Sequence, residues 1–91
     1  NMRKMKVFVL TCQGKSGESE DVSLDVEDVF TTKTAAKEKL RKRKEEIKEF
    51  YEESYSGDYE IAFDDPTLFS ITSCSSCVWD ELLITEKEIS I

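Results

Sequence analysis

Residues 32–57 read TKTAAKEKLRKRKEEIKEFYEESYSG, and this stretch decides the fold. Ala36, Leu40, Ile47, Phe50 and Ser54 recur at intervals of three, four and seven. That spacing predicts a helix from Lys33 to Tyr55 with one apolar stripe turned to a core. Thr32 is the expected N-cap, its hydroxyl accepting from a first-turn N–H that has no other partner. Gly57 is the expected stop, since a left-handed position disfavours any residue with a Cβ. Arg43 and Lys44 fall in the middle of the stripe, where their aliphatic stems can cover apolar surface while the charges reach water. About 22 residues at ~1.5 Å each make roughly 33 Å of helix. An ordinary strand spans only ~17–20 Å, so one helix end is expected to overhang its sheet.

Strands flank the helix on both sides. Met5 to Cys12 carries Met5, Val7 and Val9 on one face and Phe8 and Leu10 on the other, the mark of a central strand. Gly14 to Glu20 is a polar connection. Val22, Leu24 and Val26 alternate with Ser23, Asp25 and Glu27 as a half-buried strand closed by Val29 and Phe30. After the helix, Tyr59, Ile61 and Phe63 alternate with Glu60 and Ala62, and Asp64-Asp65-Pro66 reads as a turn. Thr67 to Ser73 sets Phe69 and Ile71 on one face. Cys74-Ser75-Ser76-Cys77 is the next turn. Val78 to Ile91 is a last strand with Trp79, Leu83, Ile89 and Ile91 opposite Leu82 and Ile84, bulged or broken near Glu86. The order β-β-α-β-β-β needs no βαβ crossover. The expected class is therefore α+β: a mainly antiparallel sheet of four to five strands on one long helix, in a single domain at 2–91.

Composition narrows the class. Of 91 residues, 38% are hydrophobic and 36% charged, the latter well above the ordinary ~25%. Periodic apolar runs separate the chain from disordered sequence of similar charge. Asn1 precedes Met2 and is set aside as an appended residue. No apolar run reaches the ~18–20 residues of a membrane span, and Val7–Leu10 is too short for a secretory core. Three cysteines are too few and too odd in number for a disulfide framework, so the expected compartment is the reducing cytoplasm.

Charge is polarised. Lys33–Lys48 holds eight bases and three acids, a net of +5, against −12 for the rest of a chain whose total is −7. The bases precede the acids along the helix, against the macrodipole, with relief expected from Glu38–Lys42, Arg41–Glu45 and Lys48–Glu52 at i,i+4. Two partner readings follow. Lys37, Arg41 and Lys44 offer a basic surface for an acidic protein or for nucleic acid, although a −7 chain lacks the field of most nucleic-acid binders. Glu18, Glu20, Asp21, Asp25, Glu27 and Asp28 with Asp58, Glu60, Asp64 and Asp65 offer an imitation of a phosphate track. Both compete with a plain solvated exterior, which explains the same residues.

The chemistry-bearing residues are sparse. Cys74-x-x-Cys77 has the spacing of two zinc thiolates. A closed site needs four ligands, and only Cys12 remains to add to a chain without histidine. A redox pair is expected at a helix N-terminus, not between strands, so free thiols are the expectation. Without histidine there is no Ser/His or Cys/His arrangement. Adjacent acids such as Asp80-Glu81 point to opposite faces of a strand, and three glycines make no phosphate loop. No catalytic residue, cofactor or small-molecule ligand is expected. Tyr51, Tyr55 and Trp79 are the aromatic interaction candidates, for a protein partner or a second copy. Their alternative is to cap the core at the helix end.

The layout Lys6-Val7-Phe8-Val9-Leu10-Thr11, Val29-Phe30-Thr31-Thr32-Lys33, Tyr59-Glu60-Ile61 and Trp79 through Glu86-Lys87-Glu88-Ile89 resembles small acidic proteins encoded by gut bacteria, their phages and mobile elements. The resemblance implies the fold and an intracellular bacterial or phage setting, and no reaction. The expected function is a non-enzymatic interaction module able to self-associate. The alternatives are a nucleic-acid-linked role and a thiol or metal site at Cys74 and Cys77.

Overall fold

The helix begins where its cap dictates. Thr32 is extended (φ −127°, ψ 146°) and its hydroxyl accepts from the Ala35 N–H at 3.2 Å. In the computed structural model, which describes residues 3–15, 21–73 and 78–91, α1 runs Lys33–Tyr55. It stops at Ser56, itself left-handed (φ 48°), whose N–H donates to the Glu52 carbonyl at 3.0 Å. Gly57 follows at φ 87°, so the reversal begins one residue before the expected glycine.

Five strands pair around it: β1 (Lys4–Lys15), β2 (Ser23–Phe30), β3 (Glu60–Asp65), β4 (Leu68–Ser73) and β5 (Val78–Ser90). All four pairings are antiparallel and the spatial order is β2-β1-β5-β4-β3. The α+β class, the element order and the single long helix are as expected. β1 lies between β2 and β5, in keeping with its apolar residues on both faces. β5 is unbroken. It pairs with β1 in one register from Lys4↔Ser90 to Lys15↔Trp79, so the expected irregularity near Glu86 is absent. Irregularities fall instead in the two edge strands, opposite Leu10/Thr11 in β2 and between Ile61 and Phe63 in β3. The second one sends Ile61 and Phe63 to opposite faces, where simple alternation had put them together. β3 also continues through Asp64 and Asp65, leaving Pro66-Thr67 as the turn.

The core lies between α1 and one sheet face. Ala36, Leu40, Ile47 and Tyr51 of the helix meet Phe8, Leu10, Phe69, Ile71, Val78, Leu82 and Ile84. The stripe closes on Tyr51 rather than Phe50: Tyr51 is 0% exposed and Phe50 is 55% exposed. Arg43 and Lys44 fill the gap in the stripe as expected, half-buried, with their charged ends on Glu27 and Asp64.

Candidate functional site

Cross-strand partners share a face of the sheet, so the register divides its residues into two sets. The helix-covered set includes Phe8, Leu10, Cys12, Phe69, Ile71, Leu82 and Ile84. The other face has no element over it among the described residues. One row across it reads Val26, Thr11, Leu83, Leu68, Asp65. The rows beside it hold Val29, Val9 and Thr85, and Leu24, Gln13, Glu81, Ser70 and Phe63. Val26 is 62% exposed, Leu24 66%, Val29 51% and Phe63 53%, and Leu83 and Ile89 are exposed too.

This corrects the expectation for β2. Its alternating apolar residues are exposed, turned away from the helix, while Asp25 and Asp28 share the register of Cys12 and Leu10 on the covered side. Glu27, at the irregularity, reaches Arg43 at 3.2 Å. The extra residue there keeps Val26 and Val29 on one face although they are three apart in sequence. That odd spacing between two valines was the sequence signal for both the bulge and the open face. Scattered exposed apolar residues are normal, but contiguous ones of this extent mark association surfaces.

The predicted site residues distribute as follows. Lys37, Arg41 and Lys44 do come together, lining a cleft of about 490 Å³ between α1 and the β3–β4 turn. Glu38, Asp64 and Asp65 line the same cleft. Lys44 Nζ lies 2.9 Å from Asp64, and Arg41 pairs with Glu38 at 2.6 Å. Helix charges pair at i,i+3, as in Arg41–Glu38, Arg43–Glu46 and Lys48–Glu45, in place of the expected i,i+4 set. The basic segment is thus interleaved with carboxylates, and Arg41, Arg43, Lys44 and Lys48 are already paired. Of the acids of the phosphate-track reading, Asp25, Glu27 and Asp28 lie on β2 and Glu60, Asp64 and Asp65 on β3, at opposite edges of the sheet and so about 19 Å apart at ~4.8 Å per strand, while Glu18 and Glu20 lie outside the described residues.

Tyr51 cannot be a contact surface, because it is wholly buried. Its hydroxyl donates to Asp80 at 2.7 Å, and its ring sits 5.2 Å from Tyr55 and 6.1 Å from Tyr59. Tyr55 and Tyr59 pack against the core as the cap that was the alternative reading. Trp79 is half-buried opposite Lys15 on the open face, and is the one aromatic candidate placed there. Cys12 lies on the covered side, its thiol pushed up to about 11 by burial and by Asp80 and Glu27, away from thiolate chemistry. Cys74 and Cys77 lie outside the described residues. No group of metal-ligating side chains forms among the described residues.

Asp80 was missed. It shares the inward parity of Val78, Leu82 and Ile84, an acid in an apolar row of β5. Burial raises its carboxyl above the usual range, opposed by the Tyr51 hydroxyl and Arg43. A Cβ on Gly14 would meet Asp80 Oδ1 and the Trp79 carbonyl oxygen at 2.7 Å, so the glycine makes room for this acid.

No helix among the described residues is long and apolar enough to cross a membrane. Comparison with protein-family models, curated proteins and solved structures gives no match for the chain.

Proposed function

We propose that this protein is a non-enzymatic interaction module that docks through the helix-free face of its sheet. The observation that carries the reading is the row Val26, Thr11, Leu83, Leu68, which ends on Asp65 at the sheet edge, with Val29, Val9, Leu24 and Phe63 around it. Burying exposed apolar area contributes about 25 cal/mol per Å². Leaving it in water gives nothing to the monomer, whose core is complete on the other side. The setting proposed is the cytoplasm of a bacterium or its phage, where a free Cys12 thiol is at home.

The test compares the wild-type chain with Val26→Lys and Leu83→Lys as bait in extract of the encoding organism. The expected result is a protein, identified by mass spectrometry and rebound when purified, that the wild type holds and both variants release. Binding that is indifferent to both lysines, or the absence of any bound protein including an untagged copy of the chain, overturns the reading.

A further inference from the structure

Resting on that docking reading, we infer that the occupant of the open face is a second copy of this chain, packed sheet on sheet as a two-fold α/β/β/α sandwich. Three observations argue for it. The first is area. Five strands of these lengths, spaced at ~4.8 Å and rising ~3.3 Å per residue, give the face a footprint of about 700 Å². A stable interface buries about 800 Å² per partner, and pleated side chains expose more than their footprint. One copy of the face therefore supplies what a dimer needs.

The second is shape. The apolar residues of the face, one or more from each of the five strands, lie among Thr11, Gln13, Ser70 and Glu81, and a second such face at ~10 Å can interleave with them as in a β-sandwich. A two-fold partner presents that match automatically, because each residue set meets itself. The third is charge. The described residues of the face carry both signs, Lys15 on β1 and Lys87 on β5 against Glu81 on β5 and Glu60 and Asp65 on β3. The chain's edges point away from the alternative of strand addition. β2 and β3 are each interrupted by a register shift and carry Asp25, Glu27 and Asp28, or Glu60, Asp64 and Asp65, so like charges would face one another.

Trp79, the sole tryptophan, sits on this face and reports its burial. Sedimentation equilibrium from about 1 µM to about 1 mM is read together with Trp79 emission. A mass rising from 10.5 kDa toward twice that is expected, with a blue shift of emission over the same concentration range. Val26→Lys and Leu83→Lys are each expected to weaken the dimer at least ~10-fold, about 1.4 kcal/mol. Glu53→Lys, on the exposed helix surface, is expected to leave it unchanged. Circular dichroism confirms folding, and Val26, already 62% exposed, keeps the test valid if Leu83→Lys unfolds. A monomer at the highest concentration overturns the proposal, as does a dimer that both lysines leave intact with constant emission. A monomeric chain that still holds a foreign protein through Val26 and Leu83 overturns the second copy and keeps the docking face. Loss of both overturns both.

Discussion

The two faces of one sheet divide the labour of this molecule. On the covered face, Leu10, Phe69, Ile71 and Leu82 are wholly buried and the half-buried charges find partners, Asp80 with Tyr51 and Arg43 with Glu27. On the open face, Leu24, Val26, Val29, Phe63 and Leu83 are exposed beside Thr11, Gln13 and Glu81, and Val7 is buried. Both sets come from the same strands at alternate positions. A helix about 10–12 Å across lies on one side of a sheet roughly 24 Å wide, over β1, β5, β4 and β2, and leaves most of β3 uncovered. The lesson is that alternation assigns residues to a common face without saying which face is the core.

The sharpest way to break this contrast is a pair of neighbours in β5. Leu82 is 0% exposed on the covered side and Leu83 is 38% exposed on the other. Leu82→Ala is expected to cost about 2–5 kcal/mol in urea unfolding, through lost transfer energy and a cavity. Leu83→Ala should cost under ~1 kcal/mol when measured dilute, where no association contributes. Equal losses would mean that the open face is covered within the monomer.

A smaller effect separates Gly14 from Gln13 on β1. Gly14→Ala forces a methyl against Asp80 and the Trp79 carbonyl at 2.7 Å. A loss of about 1–3 kcal/mol is expected from such overpacking, with the Tyr51–Asp80 hydrogen bond displaced. Gln13→Ala, whose amide donates to Glu81 at 3.0 Å on the open side, should change urea stability by less.

The smallest effect is one of pH. Burial raises the Asp80 carboxyl in the folded chain. The folded state therefore holds this proton more tightly than the unfolded state, whose Asp titrates near ~3.9. The penalty for its charge is absent below that pH and grows as pH rises through the raised value. Asp80→Asn keeps an acceptor for the Tyr51 hydroxyl and removes the charge. Its melting temperature should gain on the wild type from acid to neutral pH. An advantage that shrinks over that range would show that the Tyr51 and Arg43 contacts outweigh burial.

The helix was legible because its signals are local: Thr32 for the cap and the Ala36–Leu40–Ile47 spacing for the stripe. Phe50 and Tyr51 were not separable in the same way. Adjacent residues differ by one step around the helix, and what draws Tyr51 inward is Asp80, 29 positions away. The strand order was hidden for a related reason, since the β1–β5 ladder joins the two ends of the chain. The direction of β2's apolar side was hidden because period-two patterning is symmetric between faces, while Glu27's attachment to Arg43 breaks the symmetry at long range. Lys37, Arg41 and Lys44 line one cleft, but two of the carboxylates beside them, Asp64 and Asp65, come from the end of β3, which the helix sequence does not reveal.

The position of β5 has a consequence for how the chain acquires its shape. It is the keystone strand, with the β1–β2 hairpin hydrogen-bonded to one side and the β3–β4 hairpin to the other. Its partners on β1 are met across nearly the whole sequence, down to the Ile91 N–H donating to the Arg3 carbonyl at 2.9 Å. Such distant pairing is slow to form, because the loop-closure entropy is lost before the contacts are gained. Until Val78–Ser90 has been synthesised, the β1–β2 and β3–β4 pairs lack the strand that joins them into one sheet.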